Sequence, residues 1–463
     1  MLLLPRHFSF NSREQASFHS GVGSASAVER ITLACLTPVT DGNELGAMDL
    51  PSYGIKRIQA AVLGDPELSH CELKLIDLMR DDPDAYVEAI LESKPDIVGI
   101  SMYVWSTPCM IEVARRVKLE RPQCLVIFGG PSARREVFDL PIYPNPSEVL
   151  DALVAAEGEL IFQQISKLSK LSPQALSQVS GLDMPVINGW HQTGPSPAIE
   201  HLDHIESPYQ LGVMPKRTVA YLETFRGCPM GCRFCEWGAT EKASKVFSTE
   251  YLVRELSAYR EAEARSVFVV DAGLNLNAKA FRNLREAENE VKFLRECSGI
   301  WAEIYPTNVR DEHLQFLSDV NIGYLGIGLQ SIDPKVLKDQ DRPFSMDRFE
   351  QAARKLAEVA YCEIQIIMGL PGDTPEGFKK TLAFARSLPV GVRAYHCLVL
   401  PDALLSRSKP EWNVQFNPHN MMMTSCLGWS ERDFASTRNY NNHQAQISDG
   451  TAGDFWWFFP PQR

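Results

Sequence analysis

Arg226-Gly227-Cys228-Pro229-Met230-Gly231-Cys232-Arg233-Phe234-Cys235-Glu236-Trp237-Gly238 places three cysteines within eight residues, with a proline and a glycine between the first two. Turn-forming residues at this density make the stretch a loop. Soft thiolates packed so closely bind either zinc or an iron–sulfur cluster. A structural zinc site takes four closed ligands, and no further Cys or His lies between His204 and Cys297, so zinc would have to borrow a distant residue. A 4Fe–4S cluster can use three cysteines and leave one iron open. An open iron is a chemical site, because a small molecule with a free amine and carboxylate can chelate it and accept an electron.

The rest of the chain bounds that chemistry. At 463 residues it can form two domains with full cores, and 44% apolar with 22% charged residues is the composition of a soluble globular protein. A formal net charge of −12 offers no basic face for nucleic acid. No apolar run reaches membrane-spanning length, and Met-Leu-Leu-Leu-Pro at the start is too short and too quickly polar for a signal peptide, so the expected location is the cytoplasm. Of the 11 cysteines, Cys35, Cys71, Cys109, Cys124, Cys297, Cys362 and Cys397 fall in or beside expected strands and helices and read as core residues.

Downstream of the loop, six strand candidates recur with helices between them: 218–224, 266–270, 300–305, 324–329, 363–368 and 393–400. The first intervening helix carries Leu252, Leu256, Tyr259 and Ala262 as one apolar stripe, with Ser248 as its N-cap. Six βα units without a seventh and eighth make a partial barrel, whose active end is expected at the carboxyl ends of the strands. Polar residues collect there: Asp271 and Gly273 after the second strand, Glu303 and Asn308 on and after the third, Gln330 and Ser331 after the fourth, and Leu370-Pro-Gly-Asp-Thr374 after the fifth. Taken singly, each is equally readable as a cap or turn former.

Upstream, strands at 31–36, 71–77, 96–101 and 124–128 alternate with helices at 52–63, 84–91 and 109–121, the pattern of a doubly wound parallel sheet. Ligands of such sheets bind beyond the carboxyl ends of the strands. Ser101-Met-Tyr103-Val-Trp105 and Gly129-Gly130 stand at two of these ends. The expected fold class is therefore α/β, an N-terminal doubly wound parallel sheet followed by a partial (β/α)6 barrel. The expected division is an arm at 1–30, the sheet domain at 31–171 with a helical connection at 145–170, a linker at 172–217, the barrel at 218–405 and an aperiodic aromatic tail at 406–463.

The spacing Cys-x3-Cys-x2-Cys, with an aromatic residue before the third Cys, resembles the cluster loop of the radical S-adenosylmethionine superfamily. The resemblance implies that Cys228, Cys232 and Cys235 hold a 4Fe–4S cluster whose open iron binds S-adenosylmethionine, with Phe234 against the adenine. It likewise implies cofactor contacts from Asp271, Gly273, Glu303, Gln330 and Ser331. The N-terminal third resembles the cobalamin-binding domain found ahead of many such barrels, which implies that Ser101, Gly129 and Gly130 accommodate the buried nucleotide tail. None of the ten histidines stands in the Asp-x-His-x-x-Gly setting that supplies a lower cobalt ligand in the wider fold; the corresponding loop is Thr37-Pro-Val-Thr-Asp-Gly-Asn-Glu-Leu-Gly46. Tyr103 or Trp105 could occupy that face instead.

The function implied is methyl transfer to an unactivated carbon of a small molecule, driven by reductive cleavage of S-adenosylmethionine and fed electrons by a flavodoxin or ferredoxin. Cyclisation, ring contraction or another non-methyl outcome with the same cofactors is the alternative. A methylthiotransferase would need a second cluster, for which Cys35, Cys71 and Cys109 are the available thiols; a non-enzymatic cobalamin-binding protein would have no use for the cysteine loop. No nucleic acid or membrane partner is expected.

Overall fold

The computed structural model describes residues 27–37, 51–154, 156–237, 245–342 and 345–462. Most of the expected arm, nearly all of the 37–46 loop and Gly238 lie outside them.

The N-terminal sheet is built from β1 Arg30–Cys35, β2 Glu72–Asp77, β3 Ile97–Ser101, β4 Leu125–Gly129, β5 Ala152–Val154, β6 Leu182–Val186 and β7 Gly189–Gln192. Their order across the sheet is β2-β1-β3-β4-β5-β6-β7. The first five are parallel. Residues such as Ile97-Val-Gly-Ile-Ser101 form strands without polar alternation because helices cover both faces, and all five are buried. Helices Tyr53–Leu63, Pro83–Glu92, Thr107–Glu120 and Gly158–Ser166 supply those layers. Pro83–Glu92 starts where Asp82 accepts the amide of Ala85 and proline takes the first helical position.

Two expectations are corrected here. The connection at 145–170 is not only helical, since β5 lies within it. The stretch at 172–217, read as a linker, contains the antiparallel hairpin β6–β7 that completes the sheet edge. Its strands are short and one carries Pro185, which obscures alternation, and Ile187-Asn188 makes the two-residue turn between them.

The second sheet holds six parallel strands in chain order: Val219–Leu222, Ser266–Val269, Ile300–Ile304, Ile322–Gln330, Cys362–Met368 and Gly391–His396. These are the six expected barrel strands. Ser248 does cap helix Thr249–Glu261, accepting from the amide of Tyr251. The tail, read as aperiodic, is a correction: helix Glu431–Ile447 is followed by strands Thr451–Ala452 and Trp456–Phe459, the last antiparallel to the sixth barrel strand. The aromatic run Trp456-Trp-Phe-Phe459 is thus sheet, with Trp457 and Phe459 fully buried.

One apolar core runs from Ile199 through the barrel to Phe459, and two further clusters fill the two faces of the N-terminal sheet. Of the seven cysteines read as core, six are buried and Cys71 is half-buried. Cys35 pairs with Asp77 at one end of the β1–β2 ladder, whereas Cys71 precedes Glu72 at the other. A second cluster on Cys35, Cys71 and Cys109 is incompatible with that placement.

Candidate functional site

The three-cysteine loop leaves the first barrel strand through Gly227, whose φ of +91° is the left-handed turn that glycine permits. Cys228 and Cys232 are buried and Cys235 is half-buried. Backbone groups are tied down from the far side of the barrel. The Arg407 guanidinium donates to the carbonyl oxygens of Cys232, at 3.0 Å, and Cys235. The Arg233 amide donates to the Gln340 carbonyl at 3.1 Å, and its guanidinium to the Arg407 carbonyl at 3.1 Å.

Arg342 is the cation that faces the thiols. Its Nη1 lies 3.6 Å from Cys232 Sγ, its Nη2 donates to the Gly328 carbonyl at 2.8 Å, and its guanidinium sits 5.1 Å from the centre of the Tyr305 ring. Burial pushes the Cys235 thiol up to about 11, with Cys232 and Cys228 adding to the rise and the Trp237 amide and Arg342 opposing it. Cys228 is raised as well, first by burial. The Cys228 and Cys235 thiols, raised by burial, are poor nucleophiles but good latent ligands, since a bound metal's charge would invert this balance and deprotonate them. Among the described residues no three His, Cys, Asp or Glu side chains converge on a single point as a one-ion cage requires. A cubane asks something else, one thiolate on each of three irons, and the three cysteines of this loop supply that donor set.

The strand ends bring together most of the expected residues. On the third strand Glu303 shares the inner face with Trp301, two residues before it. Its Oε1 accepts from Gln365 Nε2 at 2.7 Å, and the same amide reaches the Tyr324 hydroxyl at 3.1 Å. Burial raises the Glu303 carboxyl to about 7, opposed by Gln365 and Arg342. Gln330 is buried with φ +71°, at a register break between the fourth and fifth strands. Ser331 is fully buried and its Oγ accepts from the Asp333 amide. Phe234 is partly buried and packs against the barrel core.

Asp271 departs from its expected role. Its Oδ1 accepts from the Thr224 amide at 2.8 Å and its Oδ2 from the Thr224 hydroxyl at 2.5 Å, so both oxygens fasten the second strand end to the first. Gly273 belongs to a turn that joins the second and third strands, where Leu274 donates to the Glu303 carbonyl and Asn275 exchanges two hydrogen bonds with Tyr305. Asn308 ends a short helical turn, Pro306–Asn308. Sequence reading missed Arg342, Gln365 and Arg407. For Gln365 the signal was present, a polar residue between Ile364 and Ile366 on an otherwise apolar strand. Arg342 lies in an irregular segment and Arg407 at the end of the helical turn after the sixth strand, and only the folded barrel brings them to the cysteines.

At the other sheet, Ser101 ends β3 and is buried. Tyr103 and Trp105 stack with ring centres 4.6 Å apart, and the Trp105 indole donates to the Leu36 carbonyl at 3.1 Å while half its surface stays open. Gly129 ends β4, and a Cβ built on it meets no heavy atom within 4 Å. Among the described residues the space beside Gly129 at the β4 end is open, with the exposed Trp105 on the neighbouring strand-end loop.

Comparison with known proteins agrees with this division. The model of the Radical SAM superfamily matches residues 222–385, and that of the B12 binding domain matches residues 47–165. A 2-(S-pantetheinyl)-carbapenam-3-carboxylate methyltransferase from Streptantibioticus cattleyicolor is 29% identical over 338 residues, covering 67% of this chain and 48% of that protein. The cobalamin-dependent radical SAM methyltransferase TokK from Streptomyces tokunonensis is 28% identical over 337 residues, covering 68% of this chain and 48% of its own length. The chain therefore spans about half the length of these curated relatives. The solved structure of the radical S-adenosylmethionine methyltransferase TsrM from Kitasatospora setae superimposes with a TM-score of 0.65 over 90% of both chains, and at 14% identity it speaks for the fold.

Proposed function

Because the chain belongs to the Radical SAM superfamily, in the branch with a B12 binding domain ahead of the barrel, we propose that it is a cobalamin-dependent radical S-adenosylmethionine methyltransferase acting on an unactivated carbon of a small molecule. The observation that carries this reading is the location of the cysteine loop. It stands at the carboxyl ends of the barrel strands, and the loop that follows β4 of the N-terminal sheet reaches over to the same side, where Arg134 Nε pairs with Asp402 at 2.6 Å. Two ligand-binding ends, each typical of its own fold, thus face one another.

In this reading Cys228, Cys232 and Cys235 hold a 4Fe–4S cluster, and Glu303, Gln330, Ser331, Gln365 and Arg342 orient S-adenosylmethionine. Ser101, Gly129 and Gly130 flank the cobalamin tail, with Tyr103 and Trp105 placed for the lower face of the corrin. When bound, the cluster supplies the electron for cleavage of S-adenosylmethionine and cobalamin supplies the methyl-transferring cobalt; the chain's own part is to position, desolvate and exclude water. Among the described residues Arg342 Nε is buried without a hydrogen-bond partner, a donor left for a carboxylate. Glu303, titrating near neutrality, can accept from an ammonium or hydroxyl without carrying a fixed buried charge. No helix among the described residues is long and apolar enough to cross a membrane, and the reading places the enzyme in the reducing cytoplasm with a flavodoxin- or ferredoxin-type donor.

The test is anaerobic reconstitution with S-adenosylmethionine carrying a deuterated methyl group. A methyltransferase delivers the label to its product; product formed without label moves the assignment to cyclisation or rearrangement. Electron paramagnetic resonance of the Co(II) form should lack nitrogen superhyperfine splitting, since no histidine stands in the lower-ligand setting.

A further inference from the structure

We propose that the two ends of the cysteine loop are locked to two adjacent strand ends of the N-terminal sheet by separate clamps, the first a network of ion pairs and the second a carboxylate–amide contact backed by an ion pair, and that these clamps set the spacing between the cobalamin side and the cluster side of the reaction chamber. The inference rests on the functional reading above and goes beyond it by naming positioning residues for the coupling of the two halves.

The first clamp lies at the start of the loop, two residues before Cys228. Arg226 donates through Nη1 to Glu157 at 2.9 Å, through Nη2 to Glu159 at 2.7 Å, and through Nε to Glu223 at 2.9 Å. Glu157 and Glu159 open the helix that follows β5, so both belong to the N-terminal sheet. Arg57, from helix Tyr53–Leu63 of the same domain, approaches Glu223 at 3.4 Å and Glu159 at 3.7 Å and donates to the Tyr251 hydroxyl at 3.2 Å. Lys245 stands 3.7 Å from Glu157. Among the described residues the printed ion pairs join Glu157, Glu159 and Glu223 to Arg57, Arg226 and Lys245, and the side chains of Arg57 and Glu159 are only 4% and 7% exposed. Burial alone would raise the Glu159 carboxyl, yet Arg226 and Arg57 bring it down to about 2, so it stays ionised.

The second clamp lies at the other end, one residue after Cys235. Glu236 Oε1 faces the Asp402 amide at 3.4 Å. Asp402 in turn pairs with Arg134 at 2.6 Å, and Arg134 Nη1 donates to the Gly130 carbonyl at 3.0 Å. The chain of contacts joins the β4 glycine turn to the far end of the cysteine loop. β4 and β5 are neighbours in the sheet, so the loop is gripped at both ends by adjacent strand ends. Paired, largely enclosed charges of this kind specify one geometry rather than add stability, because any shifted arrangement leaves a charge unpaired. Shorter surface pairs would not hold two domains in register.

The experiment compares the wild-type holoenzyme with Glu159→Gln, with the more exposed Glu157→Gln in case the first variant folds poorly, and with Asp402→Asn. Backbone hydrogen exchange of the substrate-free holoenzyme is the readout that needs no turnover. We expect exchange at Val219–Arg226 and Gly158–Ser166 to rise together, at least tenfold in Glu159→Gln, while helix Pro375–Arg386 keeps wild-type rates and iron and cobalamin contents stay at wild-type levels. The second readout is the ratio of 5′-deoxyadenosine to methylated product, expected to rise at least tenfold because cleavage of S-adenosylmethionine needs only the barrel while methyl transfer needs both halves. Unchanged exchange and ratio in all three variants would overturn the clamp. Loss of iron in Glu157→Gln with N-terminal exchange unaltered would also overturn it, by confining the network to folding of the loop. If the wild type itself makes no methylated product, the functional reading fails while the exchange result still judges the clamp.

Discussion

Two glycine-bearing strand ends of this molecule look alike in sequence and differ in what makes glycine necessary. At the end of β4, Gly130 has φ +98° and a Cβ there would stand 2.7 Å from the Met102 carbonyl oxygen, so backbone geometry alone forbids a side chain. Its neighbour Gly129 faces open space. On the fourth barrel strand, a Cβ on Gly326 would strike the Glu303 carboxylate, and one on Gly328 would stand 2.7 Å from both Arg342 Nη2 and Gln330 Nε2. Here glycine makes room for polar side chains of neighbouring segments. The first site spends its glycine on the turn itself, the second on the chemistry, and of these four glycines Gly129 is the one with open space beside it.

The comparison can be broken in several ways, the most drastic being removal of the thiols. Changing Cys228, Cys232 and Cys235 together to Ala should abolish iron binding and S-adenosylmethionine cleavage while cobalamin content is retained, as read by metal analysis and corrin absorbance. A triple variant that keeps its iron would refute the ligand assignment. Next in size, Gly328→Val should displace Arg342 and Gln330 and weaken S-adenosylmethionine binding roughly a hundredfold, the loss of charge-assisted hydrogen bonds worth about 1.5–3 kcal/mol. Calorimetric titration of the reconstituted protein reads this, and affinity within threefold of wild type would remove Arg342 from the site.

The glycine pair after β4 should then separate. Gly130→Ala should destabilise by about 1–3 kcal/mol through left-handed strain and contact with Met102. Gly129→Val should leave the unfolding midpoint of the cobalamin-free protein unchanged and lower cobalamin uptake, because its side chain enters only the open space. Equal destabilisation of both variants would erase the distinction.

The smallest effect concerns Glu303. Its folded pKa of about 7 lies above the ordinary 4.5, so the folded state holds an extra proton between those values and stability falls as pH rises from about 4.5 through 7. Glu303→Gln should remove this slope. The gap between wild type and variant should grow with pH by on the order of 2 kcal/mol, less than the full shift because the inner face admits water. Parallel melting curves from pH 5 to 8 for the two proteins would show that Glu303 ionises freely.

Much of this was legible before folding. Cys228, Cys232 and Cys235 lie within one loop, so a soft-metal site was legible from their spacing, and the resemblance to the radical S-adenosylmethionine cluster loop implied which metal. The ten strands read from hydrophobic runs form close to their expected bounds, because buried parallel strands must be continuously apolar and helices of 8–15 residues between them leave one way to wind. The capping box Ser430-x-x-Asp433 was also present as a signal for helix Glu431–Ile447, though the weakly amphipathic helix behind it hid the rest.

Other features had no local signature. β7 is the edge strand and pairs with β6, which in turn pairs with β5, so four or five residues with a proline show no period of their own. Asp271 and Glu303 are both acidic residues at barrel strand ends, and sequence treats them alike. Folding gives Asp271 three donors from Thr224 and Phe225 and turns it into a fastener, while Glu303 receives one amide and keeps capacity to spare. The same holds for charge. Arg226 and Glu159 are 67 residues apart and Arg134 and Asp402 are 268, and no periodicity relates them. Local sequence decides which groups a strand end carries, because that depends on neighbours along the chain. Which of those groups are consumed by partners and which remain free for a ligand depends on desolvation and pairing across two domains, and only the tertiary structure decides it.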